Sequence, residues 1–332
     1  MTISIKTNEL ILHDPQRGGW LHFKEPQRIV QTNEVERVRP LLSEIHSQAQ
    51  AEGLYAAGFL GYEAAPAFDS ALKVVEGDEF PLLWFALYTE PSVVTLAEVA
   101  DETLSSLPWR PSLSEGKYGE AISRIKEEIA GGRTYQVNYT MRLRAPLTNI
   151  DSSSNAAWAY FLYLVRAQQP TYGAFLDTGE YAICCASPEL FFTLQDGKLT
   201  ARPMKGTAPR GLTWDEDQAQ ATWLHHSEKN RAENVMIVDM IRNDLGRVAE
   251  IGSVEAPRLF TVEKYPSVWQ MTSTVTAQTR RAVPDVLEAL FPCASITGAP
   301  KRSTMQIIAD LEQDSRRIYT GNIGYMTPEG DA

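Results

Sequence analysis

"AFLDTGEYAICCASPELFFTLQDGKLTARPMKGT", Ala174 to Thr207, decides the fold class. Two dipeptides, Thr178-Gly179 and Asp196-Gly197, cut it into short apolar runs. Each ends in a glycine that can take the positive φ a tight hairpin needs. The spacing predicts three antiparallel strands, with Lys205 just past the end of the last. Pro203, Gly206 and Pro209 punctuate the chain around that lysine, so it is held in an unusually stiff setting.

Upstream, "GGWLHF", "LYAAGFLGYEAA" and "PLLWFALYTE" read as strands. The stretch "NEVERVRPLLSEIHSQAQAEG" between the first two has helical spacing, interrupted at Pro40. "DETLSSLPWRPSLSEG", residues 101–116, has no periodicity and reads as a linker. The helix "KYGEAISRIKEEIAGG" stops at Gly131-Gly132. "TYQVNYTMRLRAPL" then alternates as a strand, with Tyr135, Val137, Tyr139, Met141 and Leu143 on one face. Gln136, Asn138, Thr140, Arg142 and Arg144 lie on the other, which lines a cavity or faces water.

Downstream, Ser227 is the N-cap of a long helix ending at Gly246. "SVWQMTSTVTAQ" is a strand, Pro284 opens a short helix, and "SITGAPKRSTMQIIADLE" enters another near Pro300. "RRIYTGNIGYMTPEGDA" reads as a strand and a turn with no returning strand. The pattern lacks βαβ alternation, so the expected class is α+β, with largely antiparallel sheets and flanking helices. The expected division is a β-rich subdomain over 1–100, a linker over 101–116 and a catalytic domain over 117–332.

The chain has 332 residues, a formal net charge of −11, 43% hydrophobic and 22% charged residues. No basic patch dominates, which argues against nucleic acid as a partner. No apolar run approaches the roughly 20 residues needed to cross a bilayer, and the first residues lack a basic segment followed by an apolar one. Cys184, Cys185 and Cys293 fit no zinc spacing, and free thiols suit a reducing cytoplasm. Dinucleotide, Walker, zinc-protease and nucleophile-elbow motifs are lacking.

Four positions carry chemistry on residue type alone, each with a plainer alternative. Lys205 is a nucleophile if desolvation keeps it neutral, or otherwise a paired or solvated lysine. Glu189, in "ASPELFF", is a general acid if buried, or otherwise an edge carboxylate paired with an arginine. Glu233, a turn after Asn230 on the long helix, suits Mg²⁺ or simply faces water. "ITGAPK" opens a helix whose free N–H groups favour an anion, with Lys301 and Arg302 adding charge. Arg242, Asp244 and Arg247 read as structural ion pairs.

Taken in order, "GRTYQVNYTMRL", "SPELFF", "RPMKGTAPRG", "AENVMIVDMIRNDLGRV", "SITGAPKRSTMQII" and "GNIGYMTPEG" resemble the chorismate-utilising enzymes, the anthranilate synthase component I family. Anthranilate synthases typically carry alanine at the position of Lys205. Isochorismate and salicylate synthases carry a lysine base at that of Gln136. Gln136 with Lys205 resembles the branch that aminates chorismate at C4, on the way to p-aminobenzoate and folate.

The resemblance implies that Lys205 adds at C2 as the C4 hydroxyl leaves and that Glu189 protonates that hydroxyl. Ammonia then adds at C4 and expels the lysine, giving 4-amino-4-deoxychorismate. It implies substrate contacts at Gln136, Thr207, Gln270, Thr297, Gly298 and Ala299, and Mg²⁺ on Glu233. It also implies a separate glutamine amidotransferase subunit as the ammonia source. Gln270 and Asn230 depart from the family, which often has a histidine and an acid there. Beyond Ala332 the family has an arginine-bearing strand, a glycine-rich loop and a second metal-binding glutamate, so the chain is expected to be incomplete at its C-terminus. Anthranilate synthesis, and a non-catalytic chain that only docks the glutaminase, remain the alternatives.

Overall fold

The chain is described by a computed structural model covering residues 5–96, 107–146 and 154–332. Residues 101–106 of the expected linker lie outside the described residues, and Glu115 and Gly116 already belong to the helix Glu115–Ala130.

The stretch 172–209 forms five strands rather than the three its turns predict: Tyr172–Asp177, Ala182–Ser187, Leu190–Gln195, Lys198–Arg202 and Met204–Pro209. The two hairpin turns fall where the dipeptides put them, with Gly179 at φ 88° and Asp196-Gly197 at φ 50° and 74°. Prolines make the extra cuts. Pro188 and Pro203 have no N–H to give a ladder, and each stands between two strands. At Pro188 the chain leaves one sheet and enters another.

The first sheet runs in the order Ala182–Ser187, Tyr172–Asp177, Leu10–Asp14, Gly19–Phe23, Ser92–Val94. The second runs Leu190–Gln195, Lys198–Arg202, Val268–Gln278, Met204–Pro209, with Glu255–Lys264 also on Val268–Gln278. The third runs Asn322–Met326, Tyr55–Leu60, Leu83–Tyr88, Arg28–Thr32. Pairings among the described residues are antiparallel, so the expected α+β class holds. Strands from before residue 100 and after residue 117 share the first and third sheets. The division at 101–116 is therefore one of sequence, with the two sides sharing cores.

The first and third sheets face each other over Leu10, Leu21, Phe23, Phe59, Trp84, Tyr88 and Leu176. Strand alternation explains the other face of the third sheet. Ala56, Leu60, Phe85 and Leu87 point away from that core into a second one, under the helix Val35–Glu52. This helix runs unbroken through Pro40, contrary to the interruption expected there. The second core continues beneath the long helix Glu228–Gly246, through Ile237, Val238 and Ile241 against Val275 and Ala277. Ser227 caps that helix by accepting from the Asn230 N–H, and Pro284 lies in the first turn of Val283–Leu290, as read from sequence.

Two strand expectations fail. "LYAAGFLGYEAA" is a strand only over Tyr55–Leu60 and then turns into the 3₁₀ segment Tyr62–Ala67. "TYQVNYTMRLRAPL" forms two-residue bridges at Gln136–Val137 and Leu143–Arg144 only, leaving Tyr135, Met141 and Leu143 exposed. Its backbone has no single partner strand. Asn138 N–H bonds to Thr297, Thr140 N–H to the Glu312 side chain, and the Arg142 carbonyl accepts from Ser112. Alternation without a continuous ladder does not make a strand.

Among the described residues no helix is long and apolar enough to cross a membrane.

Candidate active site

Lys205 follows the strand Lys198–Arg202, as the sequence suggested, but is itself the second residue of a further strand, Met204–Pro209. The register against Val268–Gln278 slips between Met204↔Thr272 and Thr207↔Gln270, so Lys205 and Gly206 form a bulge, a device that re-aims a side chain. Gly206 is at φ 102°, and a Cβ there would lie 3.1 Å from the Asn230 Cβ and 3.2 Å from the Met271 Cβ. The glycine therefore lets the long helix seat against the bulge. Asn234, fully buried, donates its amide to the Lys205 carbonyl at 3.3 Å and accepts from the Ser273 hydroxyl at 2.5 Å. A buried amide in mid-helix, where Asn is a poor former, is the signal that could have found it.

Glu189 stands just after the proline that switches sheets. Its Oε1 accepts from the Ser295 hydroxyl at 2.7 Å and the Met204 N–H at 3.3 Å. The arginine partner of its plainer reading goes elsewhere, as Arg202 pairs with Glu263. Desolvation raises the Glu189 carboxyl above its usual range, opposed by Ser295 and Lys205. Desolvation equally lowers the Lys205 amine, opposed by Glu189, Cys293 and Glu233. Lys205 has no ion-pair partner within 4 Å among the described residues. Burial thus pushes both groups toward neutrality, while their attraction for each other works against it.

Glu233 projects from the helix near Lys205, partly exposed, with Lys229 3.9 Å away. Gln270 and Thr207 face each other across the strand pair, the Thr207 hydroxyl donating to the Gln270 amide oxygen at 3.0 Å. A separate knot holds Gln136, Gly298 and Ala299. Gly298↔Val137 and Ala299↔Gln136 pair backbone to backbone, and the Thr134 hydroxyl donates to the Ala299 carbonyl at 2.8 Å. Gly298 is obligatory here: at φ 136°, its Cβ would fall 2.0 Å from the Gln136 carbonyl. The Gln136 side-chain oxygen is buried with no hydrogen-bond partner among the described residues. Thr297 is fully buried with its hydroxyl turned back to the Cys293 carbonyl, 3.0 Å away, so it offers no free hydroxyl.

Lys301 and Arg302 do not supply charge to an anion. Lys301 pairs with Asp244 at 2.9 Å, and Arg302 with Asp69 at 2.8 Å. Arg247 donates to the Ala289 carbonyl and Arg242 pairs with Asp239.

Sequence reading also missed a buried scaffold. Arg316, 2% exposed, pairs with Glu312 at 2.6 Å and donates to the carbonyls of Asn138 and Ile296. Glu63 accepts the backbone N–H groups of Arg316 and Arg317. These bonds tie the Gln136 segment to the turn carrying Ser295 and Thr297.

A cavity of about 980 Å³ reaches Glu189, Cys293 and Ser295, with Tyr172, Phe191 and Tyr319 among its walls. Lys205, Glu233 and the Gln136–Gly298 knot do not line it. After the turn at Pro328–Gly330, Ala332 exchanges both backbone hydrogen bonds with Leu194 on the edge of the second sheet.

A buried carboxyl group and a buried amine that feel each other's charge, beside a cavity reached by the carboxyl, are the kind of perturbed pair that marks a functional site. The chain belongs to the chorismate binding enzyme family, which matches residues 92–332. It is similar to aminodeoxychorismate synthase component 1 of Klebsiella aerogenes, 41% identical over 248 residues, covering 74% of this chain and 52% of that protein. It is also similar to the Bacillus subtilis protein of the same name, 39% identical over 262 residues, covering 78% and 53%. The chain thus spans about half the length of the curated relatives it matches. The solved structure of anthranilate synthase component I from Streptococcus pneumoniae superposes with a TM-score of 0.76 at 24% identity, covering all of this chain and 83% of that one. That likeness establishes the fold.

Proposed function

We propose that this chain carries the chorismate-aminating chemistry of an aminodeoxychorismate synthase, with Lys205 as nucleophile and Glu189 as acid. The observation that carries the reading is the pair itself. Glu189 is bonded to the Met204 N–H, one residue from Lys205, and burial shifts the amine that must attack and the acid that must donate each in the direction the reaction needs. The neutral amine of Lys205 forms a bond to C2 of chorismate. Both ring double bonds shift, to C1=C6 and C4=C5, as the C4–O bond breaks, with the Glu189 proton leaving on the hydroxyl as water. Ammonia then bonds to C4, both double bonds return to their places and the C2–N bond breaks, releasing Lys205, while a proton shed by the new C4 ammonium or the lysine nitrogen returns to the Glu189 carboxylate. Gln136, Thr207, Gln270, Gly298 and Ala299 surround the substrate in this reading, Thr297 contributing its backbone. Ammonia arrives from a glutamine amidotransferase subunit, in keeping with the "component 1" in the relatives' names.

Mg²⁺ enters through Glu233. Among the described residues no three His, Cys, Asp or Glu side chains gather for a metal, and one carboxylate beside Asn230 is a thin set for a cation that prefers several oxygens. No step is therefore carried through the ion. The same observation favours a second reading, a chain that docks the glutaminase without turning chorismate over.

Chorismate, Mg²⁺ and ammonium incubated with the chain at alkaline pH test the choice. The expected product is 4-amino-4-deoxychorismate, identified by mass spectrometry. Anthranilate as product would move the assignment to the sister enzyme, and no product would favour the docking reading.

A further inference from the structure

We propose that Ser295 is a positioning residue for Glu189, one that fixes which carboxyl oxygen carries the transferable proton. The inference rests on the reading of Glu189 as an acid but is argued from its own hydrogen bonds. Oε1 accepts two donors, the Ser295 hydroxyl at 2.7 Å and the Met204 N–H at 3.3 Å. Oε2 has no hydrogen-bond partner among the described residues, yet it is not a buried orphan, and Glu189 lines the cavity. An oxygen already accepting two hydrogen bonds is the carbonyl oxygen of the neutral acid, because a proton on it would face two donors. The proton therefore sits on Oε2, the open oxygen.

Ser295 is in turn fixed. It is 3% exposed, and its hydroxyl lies 3.2 Å from the Cys293 thiol, which can donate to it while the hydroxyl donates to Glu189. The charged and titratable groups facing Glu189 are Lys205 from its strand and Cys293 from the turn before Ala294–Thr297. Met204 holds the acid while Lys205, the next residue, presents the amine, so one strand end sets both partners.

The test is isotope-edited infrared spectroscopy of the chain with ¹³C-carboxyl glutamate, the Glu189 band being isolated by difference against Glu189→Gln. A donor on the carbonyl oxygen weakens the C=O bond. Ser295→Ala should therefore shift the protonated Glu189 band to higher wavenumber and move its titration to higher pH. Ser295→Thr, which keeps the hydroxyl, should restore both. Should Ser295→Ala not fold by circular dichroism, Ser295→Cys serves, with a smaller shift in the same directions because a thiol is the weaker donor.

An unmoved band and titration in the Ala or Cys variant would overturn the inference, whatever happens to turnover. In the aminating assay Ser295→Ala should lower kcat about five- to tenfold, the loss of one hydrogen bond, at unchanged KM. A shifted band with unchanged kcat upholds the hydrogen-bond assignment and removes Glu189 from the acid role, so the two readings fail separately.

Discussion

Replacing Gly206 by alanine tests the bulge that aims Lys205. At φ 102° an alanine leaves the region L-residues populate, which costs about 1–3 kcal/mol. Its Cβ also meets the Asn230 and Met271 Cβ atoms at 3.1 and 3.2 Å. These belong to a packed helix and a central strand and cannot swing aside, so crowding adds about 1–3 kcal/mol. The stiffer unfolded chain returns about 0.4–1 kcal/mol. The net destabilisation is roughly 1–5 kcal/mol, read as a lower urea midpoint at unchanged slope. Gly246→Ala is the control. That glycine ends the long helix with nothing within 4 Å of the added Cβ, and alanine there should gain about 0.5–1 kcal/mol. A Gly206→Ala protein within about 0.5 kcal/mol of the parent, the range of an ordinary surface change, would refute the account of the bulge.

Lys205→Met should abolish amination without loss of stability. Burial lowers the Lys205 pKa, so the parent loses stability as pH falls from the ordinary lysine value through the depressed one. The variant's advantage in urea melts should grow over that descent, and an advantage independent of pH would show that Lys205 is not desolvated. Glu233→Gln should weaken Mg²⁺ binding relative to the parent chain in side-by-side calorimetric titrations; identical isotherms would take Glu233 out of the metal reading. Arg316→Met leaves Glu312 buried without its main partner, and breaking such a pair costs about 3–5 kcal/mol. A melt unchanged by this substitution would show the network to be incidental.

Local physical chemistry determined much of this protein from the sequence. Hairpin dipeptides at Thr178-Gly179 and Asp196-Gly197, the Ser227 cap and Pro284 acted within a few residues of where they stand, and the α+β class followed. Motif order led to the family, and "SPELFF", "RPMKGT" and "AENVM" marked Glu189, Lys205 and Glu233. Alternation misled over residues 134–146, because a strand also needs a partner edge and this segment finds a different partner every few residues.

Tertiary structure alone decided the rest. Pro188 was not read as a break, and nothing local marks it as the point where the chain changes sheets. Lys301 and Arg302 looked available until Asp244 and Asp69, 57 and 233 residues away in sequence, claimed them. Ser295, 106 residues from Glu189, carries no local mark of its task. Desolvation and hydrogen-bond partnership, which set the state of the lysine and the acid, are properties of what surrounds a side chain, and those surroundings exist only after distant segments have packed.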